Sequence, residues 1–162
     1  MEIRNTAVLP SIVLGLMIWG FASTVAAAEP VLDLKALSGQ VVYLDFWASW
    51  CAPCRQSFPW MDRMQRELGR DGFVVVAVNV DRVRAEADQF LQKHPVGFRI
   101  AFDPEGALAE RFGVKGMPTS YLIDRSGQIH SEVKGFRLQD RNALEQRIRS
   151  LLATPPATNP GS

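Results

Sequence analysis

The stretch Leu44-Asp45-Phe46-Trp47-Ala48-Ser49-Trp50-Cys51-Ala52-Pro53-Cys54 decides how this chain folds. Upstream it continues Gln40-Val41-Val42-Tyr43, and the joined run to Trp47 is apolar and β-branched almost throughout. Such a run reads as a buried central strand. Ala48-Ser49-Trp50 reads as a loop. From Ala52 or Pro53 to Leu68 the pattern turns helical, with Phe58, Met61, Met64 and Leu68 at three- and four-residue spacing and Gly69 and Gly72 bracketing the end. The two cysteines therefore stand where a loop enters a helix. Residues three apart at a helix start lie on one side, so their sulfurs can bond. The free N–H groups and partial positive charge of the helix start favour a thiolate at Cys51, the more N-terminal sulfur, below the ordinary thiol pKa of ~8.5. Cys51 is then the group that attacks a disulfide, and Cys54 the group that resolves the mixed disulfide. Ala52-Pro53 supplies no cation, no His and one N–H fewer, so the thiolate is only modestly stabilised and the pair should have a reducing poise.

The chain has 162 residues, 47% of them hydrophobic and 22% charged, enough for one domain with a real core. The formal net charge is +1, without a basic stripe, so no nucleic acid is expected as a partner. There are only two cysteines. A disulfide closing so short a loop is a poor structural staple, and a metal site wants about four ligands where neither His94 nor His130 is near the pair. Redox chemistry is the reading left, with the Cys51–Cys54 disulfide itself in place of a cofactor and no metal ligands.

Outward from this centre, Phe73 to Val80 reads as a second buried strand and Val83 to His94 as a helix with Ala87, Phe90 and Leu91 inward. Phe98 to Phe102 alternates and reads as a short strand. Asp103-Pro104-Glu105 reads as a helix start, with Asp103 as N-cap and Pro104 at the first helical position. That helix carries Leu108 and Phe112 and stops at Gly113. Thr119 to Ile123 is a strand, Asp124-Arg125-Ser126-Gly127 a turn, and Gln128 to Lys134 its hairpin partner. Leu138 to Leu152 closes the chain as an amphipathic helix. The order implies an α/β fold, a mixed sheet with helices on both faces. Trp47 reads as core, Trp60 is undecided, and Trp50 is either apolar surface beside the active sulfur or a core residue. Asp81, Glu86, His94 and His130 read as solvated.

At the N-terminus, Arg4 precedes an uncharged, almost wholly apolar run from Ala7 to Ala22, and Ala26-x-Ala28 has the small residues that signal peptidase requires. Residues 1–28 are expected to be a cleaved signal peptide or, failing cleavage, an N-terminal membrane anchor. Either way the domain is exported, which in a bacterium means the periplasm. The tail 153–162, with three Pro and one Gly, is expected to be disordered.

The segment Leu44 to Cys54 resembles the active-site segment of thioredoxins, and the export signal with the extra helix and strand between Asn79 and Pro118 is similar to the TlpA-like branch. The resemblance covers about Val31 to Leu152. It implies a three-layer thioredoxin-like fold over 29–152 with a helix–strand insertion before a cis-proline, protein disulfides as substrates, and a membrane electron donor that re-reduces the pair. That branch includes reductases serving cytochrome c maturation. Asp45 matches the buried carboxylate set behind the second cysteine, which implies that it takes the proton from Cys54. The alternative is a merely solvated strand-end acid, which the apolar run around it disfavours. Pro118, in Gly116-Met117-Pro118-Thr119, matches the cis-proline that faces the cysteines and implies that the Met117 backbone meets an extended substrate. Pro59 matches the proline that kinks the long helix. Trp50, Met117 and Pro118 are thus the expected substrate contacts. A disulfide oxidase or isomerase shares every one of these residues. A copper-binding metallochaperone on the same fold would want His or Met beside the pair, where Met117 alone is a soft donor.

Overall fold

The computed structural model describes residues 32–155. The signal-peptide or anchor reading of residues 1–28 lies outside them, as does most of the proposed tail. Strand β1 (Val41–Trp47) is buried at all seven positions, as a strand covered on both faces must be. Helix α1 (Ala52–Leu68) follows, then β2 (Phe73–Asn79), α2 (Arg84–Lys93), β3 (Arg99–Phe102), α3 (Ala107–Arg111), the hairpin β4 (Thr119–Ile123) and β5 (Ile129–Lys134), and α4 (Arg141–Ala153). The five strands form one sheet in the order β3-β2-β1-β4-β5. β1 runs parallel to β2, as β2 does to β3, while β1 to β4 and β4 to β5 are antiparallel. This is the three-layer α/β arrangement expected from the sequence, with α2 and β3 inserted ahead of Pro118.

The period of two along β1 sorts its side chains onto two cores. Val41, Tyr43 and Trp47 face a core built by Phe58, Met61 and Met64 of α1, Phe90 of α2 and Ile148 of α4. Val42, Leu44 and Phe46 face the other core, under Leu108 and Ala109 of α3 and Leu37 of the leading turn. An aromatic triangle locks the inserted α2 to α1. The Trp47, Phe58 and Phe90 ring centroids lie 4.8, 4.8 and 5.0 Å apart, spacings that favour tilted and edge-on contacts. β3 pairs only with Val76 onward, so the Phe73 C=O and Val75 N–H before it need another partner. Gln65 of α1 supplies it, its side-chain amide donating to Phe73 O (3.2 Å) and accepting from Val75 N (2.7 Å).

Three expectations are corrected here. The helix after β3 does not begin at Asp103-Pro104. The chain first turns through Gly106, whose φ of 73° is left-handed, and α3 starts at Ala107. Asp103 still serves that helix, but from a distance, accepting from Ala109 N at 2.8 Å. The closing helix opens at Leu138 as a single 3-10 turn and becomes α-helical at Arg141. It also runs through Ala153, and Thr154 Oγ1 donates to Ser150 O (3.2 Å), so the tail does not begin at 153.

Candidate functional site

Cys51 is the N-cap of α1, and Cys54 closes its first turn. Their sulfurs are bonded (S–S 2.08 Å, Cα–Cα 5.3 Å), and the Cys54 N–H donates to Cys51 Sγ at 3.3 Å. A cap whose acceptor is sulfur is the arrangement that stabilises negative charge there once the disulfide opens. Cys51 is 3% exposed and Cys54 fully buried, so an attacking partner meets Cys51 first. Beside it Trp50 stands 68% exposed, the surface reading of that residue rather than the core one. Trp47 and Trp60 are both buried. Helix α1 continues through Pro59 to Leu68.

Asp45 lies on β1 between Tyr43 and Trp47, so the strand's alternation turns it to the face covered by α1, the face of the two cysteines. It is fully buried. Ser120 Oγ, opposite it in the antiparallel register, donates to Oδ1 at 2.5 Å. Among the described residues Oδ2 has no partner. Burial, only partly offset by the Ser120 hydrogen bond, pushes the Asp45 carboxyl up to about 7, and the Asp45 charge adds to burial in holding the Tyr43 hydroxyl protonated. The merely solvated reading of Asp45 therefore falls.

The Met117–Pro118 peptide bond is cis. Thr119 pairs with Phe46, which puts Pro118 at the register position of Trp47, at the end of β1 from which the chain runs to Cys51. Pro118 is buried and Met117 half-buried between the two cores. Asp45, Trp50, Cys51, Cys54, Met117 and Pro118 are thus gathered at one end of the sheet. His130 lies away from it, on β5, paired with Asp124 (2.7 Å), and Glu86 is exposed.

One residue read as solvated belongs to this end. Asp81 is 4% exposed and accepts from the Ser49 N–H with both oxygens (2.9 and 3.2 Å). Asn79 Nδ2 donates to its Oδ2 (2.8 Å), and Asp81 N–H donates back to Asn79 Oδ1 (3.1 Å). With Val80 N to Trp47 O (3.0 Å), this bracket fixes the loop that delivers Cys51. Ser120 escaped the sequence reading and Asp81 was read as solvated because the contacts that place them span 75 and 32 residues, and Asn79 acts only by bracing Asp81 two residues on. The one local signal is an Asn, and an Asp two residues later, ending so apolar a strand.

A family model described as Redoxin matches residues 7–147. The chain belongs to the redoxin family. It is 30% identical to the thiol-disulfide oxidoreductase ResA of Bacillus thuringiensis subsp. konkukian over 120 residues, 74% of this chain and 68% of that protein. Its fold superposes with a TM-score of 0.74, at 53% identity, on a candidate thiol:disulfide interchange protein DsbE of Chlorobium tepidum, covering 75% of this chain and 86% of that one. StoA of Bacillus subtilis follows at a TM-score of 0.59 and 26% identity, covering 67% and 82%. This redoxin is a thiol–disulfide oxidoreductase, and the Cys51–Cys54 disulfide at the helix start is where such chemistry has its atoms.

Proposed function

We propose that the protein is exported to the periplasm and works there as a reductase of protein disulfides. The observation that carries the reading is the pairing, on one face, of a helix-capping disulfide with a buried carboxyl that keeps one oxygen unpartnered. In the reduced enzyme the Cys51 thiolate attacks one sulfur of a substrate disulfide. A bond forms from Cys51 Sγ to that sulfur, and the other leaves as a thiolate. Asp45 takes the proton from Cys54. The Cys54 thiolate then attacks Cys51 Sγ and expels the second substrate thiolate. Two electrons have passed to the substrate, and the enzyme holds the Cys51–Cys54 disulfide. A dithiol donor in the membrane returns it to the reduced state. The cis Met117–Pro118 bond offers backbone at the site's edge to an extended substrate, and Trp50 offers apolar surface. Apocytochrome c is a fitting substrate of this class.

Two measurements test the reading. Cys54→Ala in the exporting host should accumulate mixed disulfides on Cys51, with a cytochrome c precursor among the captured proteins. Equilibration against glutathione should give a midpoint well below about −180 mV, the poise of an oxidising isomerase. A midpoint above that value assigns the oxidase or isomerase direction instead.

A further inference from the structure

The end of the sheet that carries the sulfurs opens into a groove. The Gly135 N–H donates to Pro118 O (2.8 Å), so the chain leaving β5 lies against the cis-proline. From there a groove of about 300 Å³ runs between the end of β5 and α4. Phe136 and Leu144, 8% and 6% exposed, give it an apolar floor, and Lys134, Arg137, Arg141 and Arg147 line it. Glu132 and Asp140 answer two of these cations, through Lys134 (3.3 Å) and Arg137 (2.6 Å). Among the described residues Arg141 donates only to Leu138 O (3.1 Å), and Arg147 has no charged partner.

We propose that this groove seats the stretch of a substrate polypeptide that runs from its disulfide past Pro118, and that it selects stretches carrying acidic side chains around an apolar one. The inference rests on the reductase reading and names its substrate class. The chemistry is complementary on each count. Two cations lacking a carboxylate are attracted to carboxylates brought by a partner, and such surface charge acts chiefly through encounter rate and selectivity. Arg141 and Arg147 are six residues apart on α4, about 9 Å along the helix axis. An extended chain advances about 7 Å over two residues, and the long, exposed arginine side chains take up the remaining ~2 Å. The apolar floor at Phe136 and Leu144 accepts the side chain between the two acids.

The test uses the full chain, reduced, with three peptides that share one disulfide loop and end in Glu-Leu-Glu, Gln-Leu-Gln or Lys-Leu-Lys. The expected kcat/KM ratio of the acidic to the neutral peptide is about fivefold at low salt, falling towards one in 0.5 M salt, as exposed charge pairs do. In R141E/R147E the order should reverse in favour of the lysine peptide. In R70E/R99E, which makes the same change of net charge at exposed positions towards the opposite end of the sheet, the acidic preference should persist. Equal rates for the three peptides, or an equal loss in both double variants, overturns the groove. Binding of the same peptides with serine in place of cysteine, measured by calorimetry, ranks them without turnover. An acidic preference in binding without any reduction overturns the reductase reading and keeps the groove.

Discussion

The two ends of the sheet handle a charged side chain in opposite ways. At the far end Arg125, in the turn between β4 and β5, donates to the backbone oxygens of Gly39 (2.7 Å), Asp71 (3.1 Å) and Leu152 (3.2 Å). One guanidinium thereby ties the approach to β1, the approach to β2 and the end of α4. At the disulfide end Asp45 has one oxygen bonded to Ser120 and the other left without a donor. The cation is used to fasten segments. The carboxyl is held in a place that disfavours its charge, so that it can take up and release a proton near neutral pH.

The largest effect expected from breaking this contrast is at Asp45. Its carboxyl titrates at about 7 folded against 3.8 unfolded. Between these values the folded chain binds more protons, so stability falls as pH rises through the window, and the penalty is complete above it. The shift corresponds to about 4 kcal/mol at most. In Asp45→Asn denaturant unfolding should lose that decline between pH 4 and 8, while the resolving step slows about 10²-fold. Parallel stability curves for the two proteins would remove the buried charge from the account.

Next comes Arg125→Ala, which should cost about 3 kcal/mol in urea unfolding and leave the redox midpoint where it was. Arg125→Lys should recover only part of the loss, because an ammonium lacks the fork that spans several carbonyls. A shifted midpoint would show that the far end is coupled to the sulfurs after all. Asp81→Ala should cost about 2 kcal/mol by leaving the Ser49 N–H and the Asn79 amide without their acceptor. Hydrogen exchange should then quicken at Ser49 and not at Gly39 N–H, which bonds Arg125 O at the opposite end. Smallest in stability is Trp50→Ala, within about 0.5 kcal/mol, since the side chain is mostly in solvent. Its effect should appear as a raised KM for protein substrates, and an unchanged KM would free Trp50 from the substrate surface.

The sequence made one end of this comparison far more legible than the other. The cysteine pair, Trp50, the strand before them and the helix after them form one continuous segment, in which alternation and three-to-four spacing are local signals. Asp45 stood out because an acid inside an apolar strand needs a reason. Asp81 did not, because an acid just past a strand end is usually solvated, and only the fold brings Ser49 to it. Arg125 looked like ordinary turn chemistry, and nothing in Asp-Arg-Ser-Gly announces three carbonyl acceptors from distant segments. The start of α3 was misread for a related reason. Asp103-Pro104 has the composition of a helix cap, yet Asp103 N–H is bonded to Asn79 O (2.8 Å), and the chain must first turn at Gly106 before a helix can begin.

The Gln65 amide has a consequence of its own. Phe73-Val74-Val75-Val76-Ala77-Val78 has the makings of a self-associating segment, with high β-propensity and no charge or proline. β3 is too short to shield all of it, and an open rung is a template for another chain. By satisfying Phe73 O and Val75 N, α1 plugs that rung from the side. The helix that presents the cysteines is therefore also what keeps the neighbouring strand from recruiting a second molecule. Docking of α1 confers reactivity and colloidal safety in the same event.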